Sequence, residues 1–162
     1  MHFLAFFIAL SVSTITFAEE RLMHSGVVTH IYDGDTIEIT SNNEKRLLRL
    51  AHIDAPEVNQ KFGDRAKRNL EKTILNNTVR YEVVGTDIFQ RATAVVFLEQ
   101  ININKKQIHD GYAWSLNRTS SNLYLSLEFR AKHYKKGLWQ SSNYLSPWVF
   151  RKQFLSDNIC EF

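Results

Sequence analysis

The residues best suited to chemistry lie in two short stretches, Tyr32-Asp-Gly-Asp-Thr36 and Arg46-Leu-Leu-Arg-Leu-Ala-His-Ile-Asp-Ala-Pro-Glu57. In the second, Arg49 sits in an apolar run whose other members want burial, so its guanidinium must reach solvent or answer a buried partner. Pro56 cannot donate to a β-ladder and biases Ala55 towards extended geometry, so the strand should stop near Asp54 and present Asp54 and Glu57 around a turn. Arg49 and Asp54 are five residues apart, which puts them on opposite faces of a regular strand, so a meeting of the two requires a bend or bulge before Asp54. Asp33-Gly34-Asp35 is by itself an ordinary turn signal. It is not an EF-hand loop, because the glycine and glutamate that such a loop needs do not follow at the required spacing. Joined to Asp54, however, Asp35 supplies a second carboxylate at the end of a neighbouring strand, a donor set for a hard cation such as Ca²⁺ with carbonyls and water completing the shell. Glu57 is then free for proton transfer.

The elements that must position these groups are legible in the pattern. Val27–Tyr32 and Thr36–Thr40 alternate or are β-branched, with Asp33-Gly34 as the hairpin signal between them. Ser41–Lys45 turns the chain into a third strand, Arg46–Ile53. Asp64–Leu75 has helical spacing through Ala66, Leu70 and Ile74, with Asp64 as the expected N-cap. Thr78–Val84 and Arg91–Leu98 give two more strands around a turn at Gly85–Asp87. Asn102 is placed to cap a helix over Ile103–Asp110, and Asn122 one over Leu123–Lys136 with an apolar stripe of Leu123, Leu127, Ala131 and Tyr134. Three strands, a helix and two strands predict an α+β fold built on a five-stranded OB-type β-barrel with about three packed helices, a surface that commonly receives oligonucleotides.

The chain is 162 residues long, 44% hydrophobic and 12% aromatic, which suits one globular core and excludes a disordered chain. Residues 1–18 carry no Asp, Glu, Lys or Arg and end in Thr16-Phe17-Ala18, the pattern of a cleaved secretory signal; the apolar part, Phe3–Leu10, is short for a spanning helix, though a retained membrane anchor is the alternative. The expected divisions are a signal peptide over 1–18, a short lead over 19–25, a domain over 26–152 and a C-terminal tail over 153–162, with a secreted or periplasmic destination and no stable membrane association after cleavage. Cys160 is the only cysteine, so the fold has no intrachain disulfide, and its place near the C-terminus fits a frayed tail in a monomer. Lys and Arg outnumber Asp and Glu nine to two between Asn104 and Lys152, which predicts a basic face, and a sequence pI near 9.0 fits a polyanionic partner. Part of that excess, Lys132, Lys135 and Lys136, crowds a helix C-terminus where the dipole favours cations.

Taken in order, Tyr32-Asp-Gly-Asp-Thr36, Arg49-Leu-Ala-His-Ile-Asp-Ala-Pro-Glu57, the turn from Asp87 to Arg91, Gly111-Tyr-Ala-Trp114, Gly137-Leu-Trp139 and Pro147-Trp148 resemble the staphylococcal nuclease (thermonuclease-like) family over Gly26–Lys152. The resemblance implies a calcium-dependent phosphodiesterase acting on DNA and RNA. It implies that Asp35 and Asp54 bind the metal by side chain and Ala55 by its backbone carbonyl. It further implies that Glu57 is the general base, that Arg49 and Arg91 grip the phosphate, and that cleavage of the bond from phosphorus to the 5′ oxygen leaves 3′-phosphate ends. Arginine suits those two places because its planar fork binds two phosphate oxygens and stays protonated. Two departures stand out. Gln90 occupies a place where relatives have glycine, so a positive φ there would strain the residue or redirect the loop and shift Arg91. Asn117-Arg118-Thr119 is polar where base-stacking rings are expected.

Each group also has a plain structural reading: Arg49 a surface arginine, Glu57 a solvated turn acid, His52 a polar strand end, and the remaining histidines no zinc set. Two other classes compete with the enzyme. A non-catalytic OB-fold nucleic-acid-binding module would have shed some of Asp35, Arg49, Asp54, Glu57 and Arg91, whereas this chain keeps all five. A secreted surface protein using its basic face would not need the acid cluster.

Overall fold

The computed structural model describes residues 22–116 and 122–159, with the backbone alone for residues 122 and 154–159. Eight strands are described: β1 (Met23–Ile31), β2 (Thr36–Ser41), β3 (Glu44–Leu50), β4 (Ile53–Asp54), β5 (Thr78–Thr86), β6 (Ala92–Leu98), β7 (Ile101–Asn102) and β8 (Trp114–Ser115). The helices are α1 (Gly63–Ile74), α2 (Ile103–His109), α3 (Asn122–His133) and α4 (Pro147–Ile159), with a 3-10 turn over Gly137–Gln140.

Strands β3, β2, β1, β5 and β6 follow one another antiparallel, and a parallel pairing of β3 with β6 closes them into the five-stranded barrel that the alternation predicts. The bulge in β1 between Val28 and His30 turns that strand at the barrel corner. Inward residues Val28, Ile31, Ile37, Ile39, Leu48, Val79, Ala94 and Val96 fill the barrel, and Ala66, Leu70 and Ile74 of α1 and Ile103 and Ile108 of α2 cap the same core. A second cluster of Trp114, Ala131, Leu138 and Trp139 joins α3 to the 3-10 turn.

The boundaries differ from the sequence reading where side chains overrule pattern. The third strand ends at Leu50, because Ala51 and His52 turn, with His52 at φ 67°, before the chain resumes extended structure in β4. This is the bend that a contact between Arg49 and Asp54 requires. Helix α1 starts earlier than Asp64: Phe62, at φ 73°, takes the N-cap position without a side-chain bond, and Asp64 lies in the first turn, where the helix dipole favours it. Gly63 starts the helix there because a Cβ would lie 1.8 Å from the carbonyl oxygen of Glu57, so only glycine lets α1 pack against the Glu57 loop. The buried face of α3 is Tyr124 and Ala131 with Leu127 beside them, whereas Leu123 and Tyr134 are exposed. Asn102 caps α2 as expected, its side chain accepting from the Lys105 N–H. A fourth helix, α4, runs on past Lys152. Among the described residues no helix is long and apolar enough to cross a membrane. Residues 1–18, Asn117-Arg118-Thr119 and Cys160 lie outside the described residues.

Candidate active site

The barrel brings the two chemical stretches together at one end. Thr36 in β2 pairs with Arg49 in β3, and Arg49 in turn pairs with Thr93 in β6, so Asp35, Arg49 and Arg91 emerge from three adjacent strands on one rim. The Asp33 turn is rigid: the Asp33 carboxylate accepts the N–H of Asp35 at 2.9 Å, and the Leu50 N–H donates to the Asp35 carbonyl at 2.7 Å. Gln107, buried in α2, donates to the carbonyls of Gly34 and Ala66 and so ties that turn to α1. Asn104 does the same for the turn after β3, donating to the carbonyls of Ala51 and Ala94 and accepting from the Val96 N–H. Both are polar side chains buried with every bond accounted for, which fixes a unique arrangement.

On this frame Asp35 and Asp54 are 3% and 2% exposed. Arg49 spans them, pairing with Asp35 through one nitrogen and with Asp54 Oδ1 at 2.7 Å through the other. Asp35 also accepts the Ala55 N–H, which binds the exit of β4 to the first turn. Burial pushes the Asp33 carboxyl up, opposed by Arg49, by Thr36 and by Arg91. Glu57 follows Pro56 and is clamped by Gln60, whose side-chain oxygen accepts the Glu57 N–H at 3.2 Å while its own N–H donates to the Glu57 carbonyl at 2.8 Å.

A cleft of about 720 Å³ opens over these groups, lined by Asp35, Arg49, Ala55, Glu57 and Arg91, with Arg151 at its edge. Asp54 does not line the cleft itself but is bonded to two residues that do, Arg49 and Arg151. All of the residues singled out from the sequence therefore meet in one place. Arg91 is held at the cleft by Asp87, which accepts from its Nε at 2.6 Å and from its backbone N–H at 2.8 Å. Against a desolvation that would raise it, those bonds and the Phe89 N–H hold the Asp87 carboxyl below the usual range. Phe89 and Ile88 stand exposed at the loop tip, Phe89 with its ring 5.3 Å from the Arg91 guanidinium.

Gln90 has φ 61°, the left-handed conformation that its position threatened. The loop keeps Arg91 on the cleft, so the strain is stored and not relieved by redirecting the chain. Gln90→Gly is expected to stabilise the protein by about 1 kcal/mol, the cost of a left-handed non-glycine residue less the extra freedom glycine gives the unfolded chain. Chemical denaturation of both proteins measures it, and an equal or lower midpoint for the glycine variant contradicts the assignment of strain.

The donor set fits a divalent cation. Two buried carboxylates flank one guanidinium, Asp35 on one terminal nitrogen of Arg49 and Asp54 on the other, so both already draw positive charge to the same side chain. Among the described residues no group of three or more His, Cys, Asp or Glu side chains is arranged to hold a metal ion, and a cation here would be held by Asp35 and Asp54 with the Ala55 carbonyl and water, all oxygen, as a hard ion prefers. His52 is in the turn after β3, its ring 5.4 Å from Tyr124, with burial lowering its pKa.

Sequence reasoning missed Arg151. It counted that residue only among the C-terminal cations, yet Arg151 of α4 bonds Asp54 Oδ2 at 2.7 Å and Glu57 Oε1 at 2.6 Å. The signal available was Pro147-Trp148, a helix start with an aromatic anchor, followed one turn later by arginine. The basic face is also thinner than the charge count suggests, since Lys106 pairs with Asp110 and Lys132 with Glu128.

Comparison with known proteins agrees with this geometry. A family model described as staphylococcal nuclease homologue matches residues 47–141. An uncharacterized endonuclease of Haemophilus influenzae is 35% identical over 146 residues, covering 89% of this chain and 82% of the relative. A micrococcal nuclease of Shigella flexneri is 32% identical over 158 residues, covering 90% and 88% of the two chains, and Protein ParB of Escherichia coli is 31% identical over 156 residues, covering 89% and 86%.

Proposed function

The chain belongs to the staphylococcal nuclease family, and from that premise and the cleft we propose that it is a Ca²⁺-dependent endonuclease that hydrolyses phosphodiester bonds in DNA and RNA. The observation that carries this reading is the convergence of Asp35, Arg49, Ala55, Glu57 and Arg91 on one cleft, with Asp54 paired to Arg49. Asp35 and Asp54 would hold the cation, together with the Ala55 carbonyl. When bound, a divalent cation supplies Lewis acidity and positive charge to a phosphoryl oxygen.

The protein groups do the rest. The phosphate enters between two walls that each carry a guanidinium, Arg49 on the strand side and Arg91 on the loop side, and is fixed by bidentate hydrogen bonds. Both remain charged at any working pH, so they offset the negative charge that builds up on the equatorial oxygens in the transition state. Glu57 has a side chain 34% exposed at the cleft and a backbone fixed by Gln60, which suits a carboxylate that must meet water and hold its aim. It takes the proton of the attacking water as the new bond to phosphorus forms and the bond to the 5′ oxygen breaks. The 5′ oxygen departs with the bonding electron pair and takes a proton from solvent water, Glu57 returns its own proton to solvent, and the 3′ side keeps the phosphate.

We place the site of action outside the cytoplasm, secreted or periplasmic, on the apolar and uncharged character of residues 1–18, with the mature chain acting as a monomer. Digestion of single-stranded DNA, duplex DNA and RNA by the purified chain, with Ca²⁺ or with chelator, tests the reading. Cleavage is expected only with Ca²⁺, yielding 3′-phosphate ends. Binding without cleavage under both conditions would instead identify a binding module.

A further inference from the structure

Arg151 stands outside the segment that the family model matches, on a helix that begins at Pro147. Two contacts aim it. Trp148 packs edge-on against Trp114 at 6.3 Å, and Trp114 is the β8 partner of Asp54. Gln60, which clamps Glu57, also donates to the Leu145 carbonyl two residues before α4. The helix is thereby anchored to the strand that bears Asp54 and to the loop that bears Glu57, and one turn beyond Trp148 the Arg151 side chain falls over both.

Its three bonds fall on the groups that the proposed reaction needs free. Nη2 donates to Asp54 Oδ2 at 2.7 Å, and Nη1 donates to Asp54 Oδ1 at 3.3 Å and to Glu57 Oε1 at 2.6 Å. Asp54 already has Arg49 as a counter-charge at 2.7 Å, so Arg151 is a second cation on a carboxylate that is already paired. A divalent cation on the Asp54 oxygens would compete with the Arg151 guanidinium that bonds those same two oxygens, and like charges drawn to one carboxylate repel. A carboxylate oxygen held by a guanidinium is also not free to accept from the attacking water. Arg151 has room to leave: its side chain is 44% exposed and already lines the cleft, whereas Asp54 is 2% exposed and fixed.

We propose that Arg151 is a latch: it occupies Asp54 and Glu57 in the cation-free protein, vacates them when a divalent cation takes the Asp54 oxygens, and then serves the cleft as a third phosphate-binding guanidinium. This rests on the nuclease reading above. Cation binding and substrate grip become one event, since the same displacement frees Glu57 and supplies a positive group to the phosphate. An arginine guanidinium is cationic at any working pH, so Arg151 moves as a cation.

The test is calorimetric titration of the full chain with Ca²⁺ in the absence of nucleic acid, for the unaltered protein, Arg151→Gln and Arg151→Lys. Removal of the competing charge should tighten Ca²⁺ binding at least about 5-fold in Arg151→Gln, the lower end of coupling between two ligands that exclude one another. Arg151→Lys, which keeps one charge but cannot bridge two carboxylates, should fall between and guards against a misfolded glutamine variant. At saturating Ca²⁺, Arg151→Gln should also raise KM for single-stranded DNA by about 5-fold or more, as loss of a phosphate contact implies. Unchanged or weaker Ca²⁺ binding in both variants overturns the latch and makes Arg151 a fixed brace. Tighter Ca²⁺ binding with unchanged KM overturns its role on the phosphate. Absence of Ca²⁺ binding in all three proteins defeats the metal-dependent reading and the latch with it, an outcome distinct from equal binding, which defeats the latch alone.

Discussion

Glu57→Gln is expected to lower kcat on single-stranded DNA by at least about 100-fold, the usual loss when a general base is removed. The substitution keeps the shape of the side chain, and its amide oxygen can still accept from Arg151, which bonds Glu57 Oε1 at 2.6 Å in the native protein. The backbone of residue 57 is held by Gln60 and by the close approach of Gly63, neither of which involves the carboxylate. Thermal stability and KM should therefore change little, because the group lies at a half-exposed edge and does not hold the phosphate. The loss should be confined to the chemical step, visible as a slow hyperchromic rise at saturating substrate. A variant with native kcat would remove Glu57 from proton transfer. A variant that lost KM in the same proportion would show that Glu57 acts on the placement of substrate.

The reason so much of this site is readable in the sequence is that its parts are short and local. The turn Asp33-Gly34-Asp35 lies between two alternating strands, and the exit Asp54-Ala-Pro-Glu57 is dictated by Pro56, so period and punctuation alone place Asp35, Asp54 and Glu57. The conflict between the spacing of Arg49 and Asp54 and a regular strand even forecast the turn at His52. What resists such reading is long-range. Asn104 and Gln107 look like ordinary helix-surface residues, yet they are buried because α2 packs across the barrel mouth, where their amides meet carbonyls of Ala51, Ala94, Gly34 and Ala66. No local signal reports that. Arg151 is the extreme case, 97 residues from Asp54 in sequence. The same limit explains the N-cap of α1: Asp64 has the right chemistry, but the contact between Gly63 and Glu57 decides where the helix begins.

That dependence on long-range charge pairing makes Arg49→Ala the most revealing substitution for stability. The Arg49 side chain is 16% exposed and lies between two carboxylates that are almost fully buried, so its removal leaves Asp35 without its ion-pair partner and Asp54 with only the more exposed Arg151. Breaking a buried pair by deleting one partner typically costs about 3–5 kcal/mol, because the remaining charge is left desolvated without compensation. Such a cost is expected in chelator, measured by chemical denaturation. Calcium should reverse part of it, since a cation held by Asp35 and Asp54 supplies the missing charge, and a ligand at about 100 times its Kd stabilises by about 2.7 kcal/mol. Activity should not recover with the fold: the guanidinium that meets the phosphate is gone, and loss of one such donor costs about 100- to 1,000-fold in rate. Stability regained in Ca²⁺ with kcat still depressed assigns Arg49 both tasks, counter-ion in the cation-free protein and phosphate ligand in the loaded one. Stability that Ca²⁺ leaves untouched would mean that Asp35 and Asp54 do not hold the cation, and the donor set would have to be sought elsewhere on the cleft.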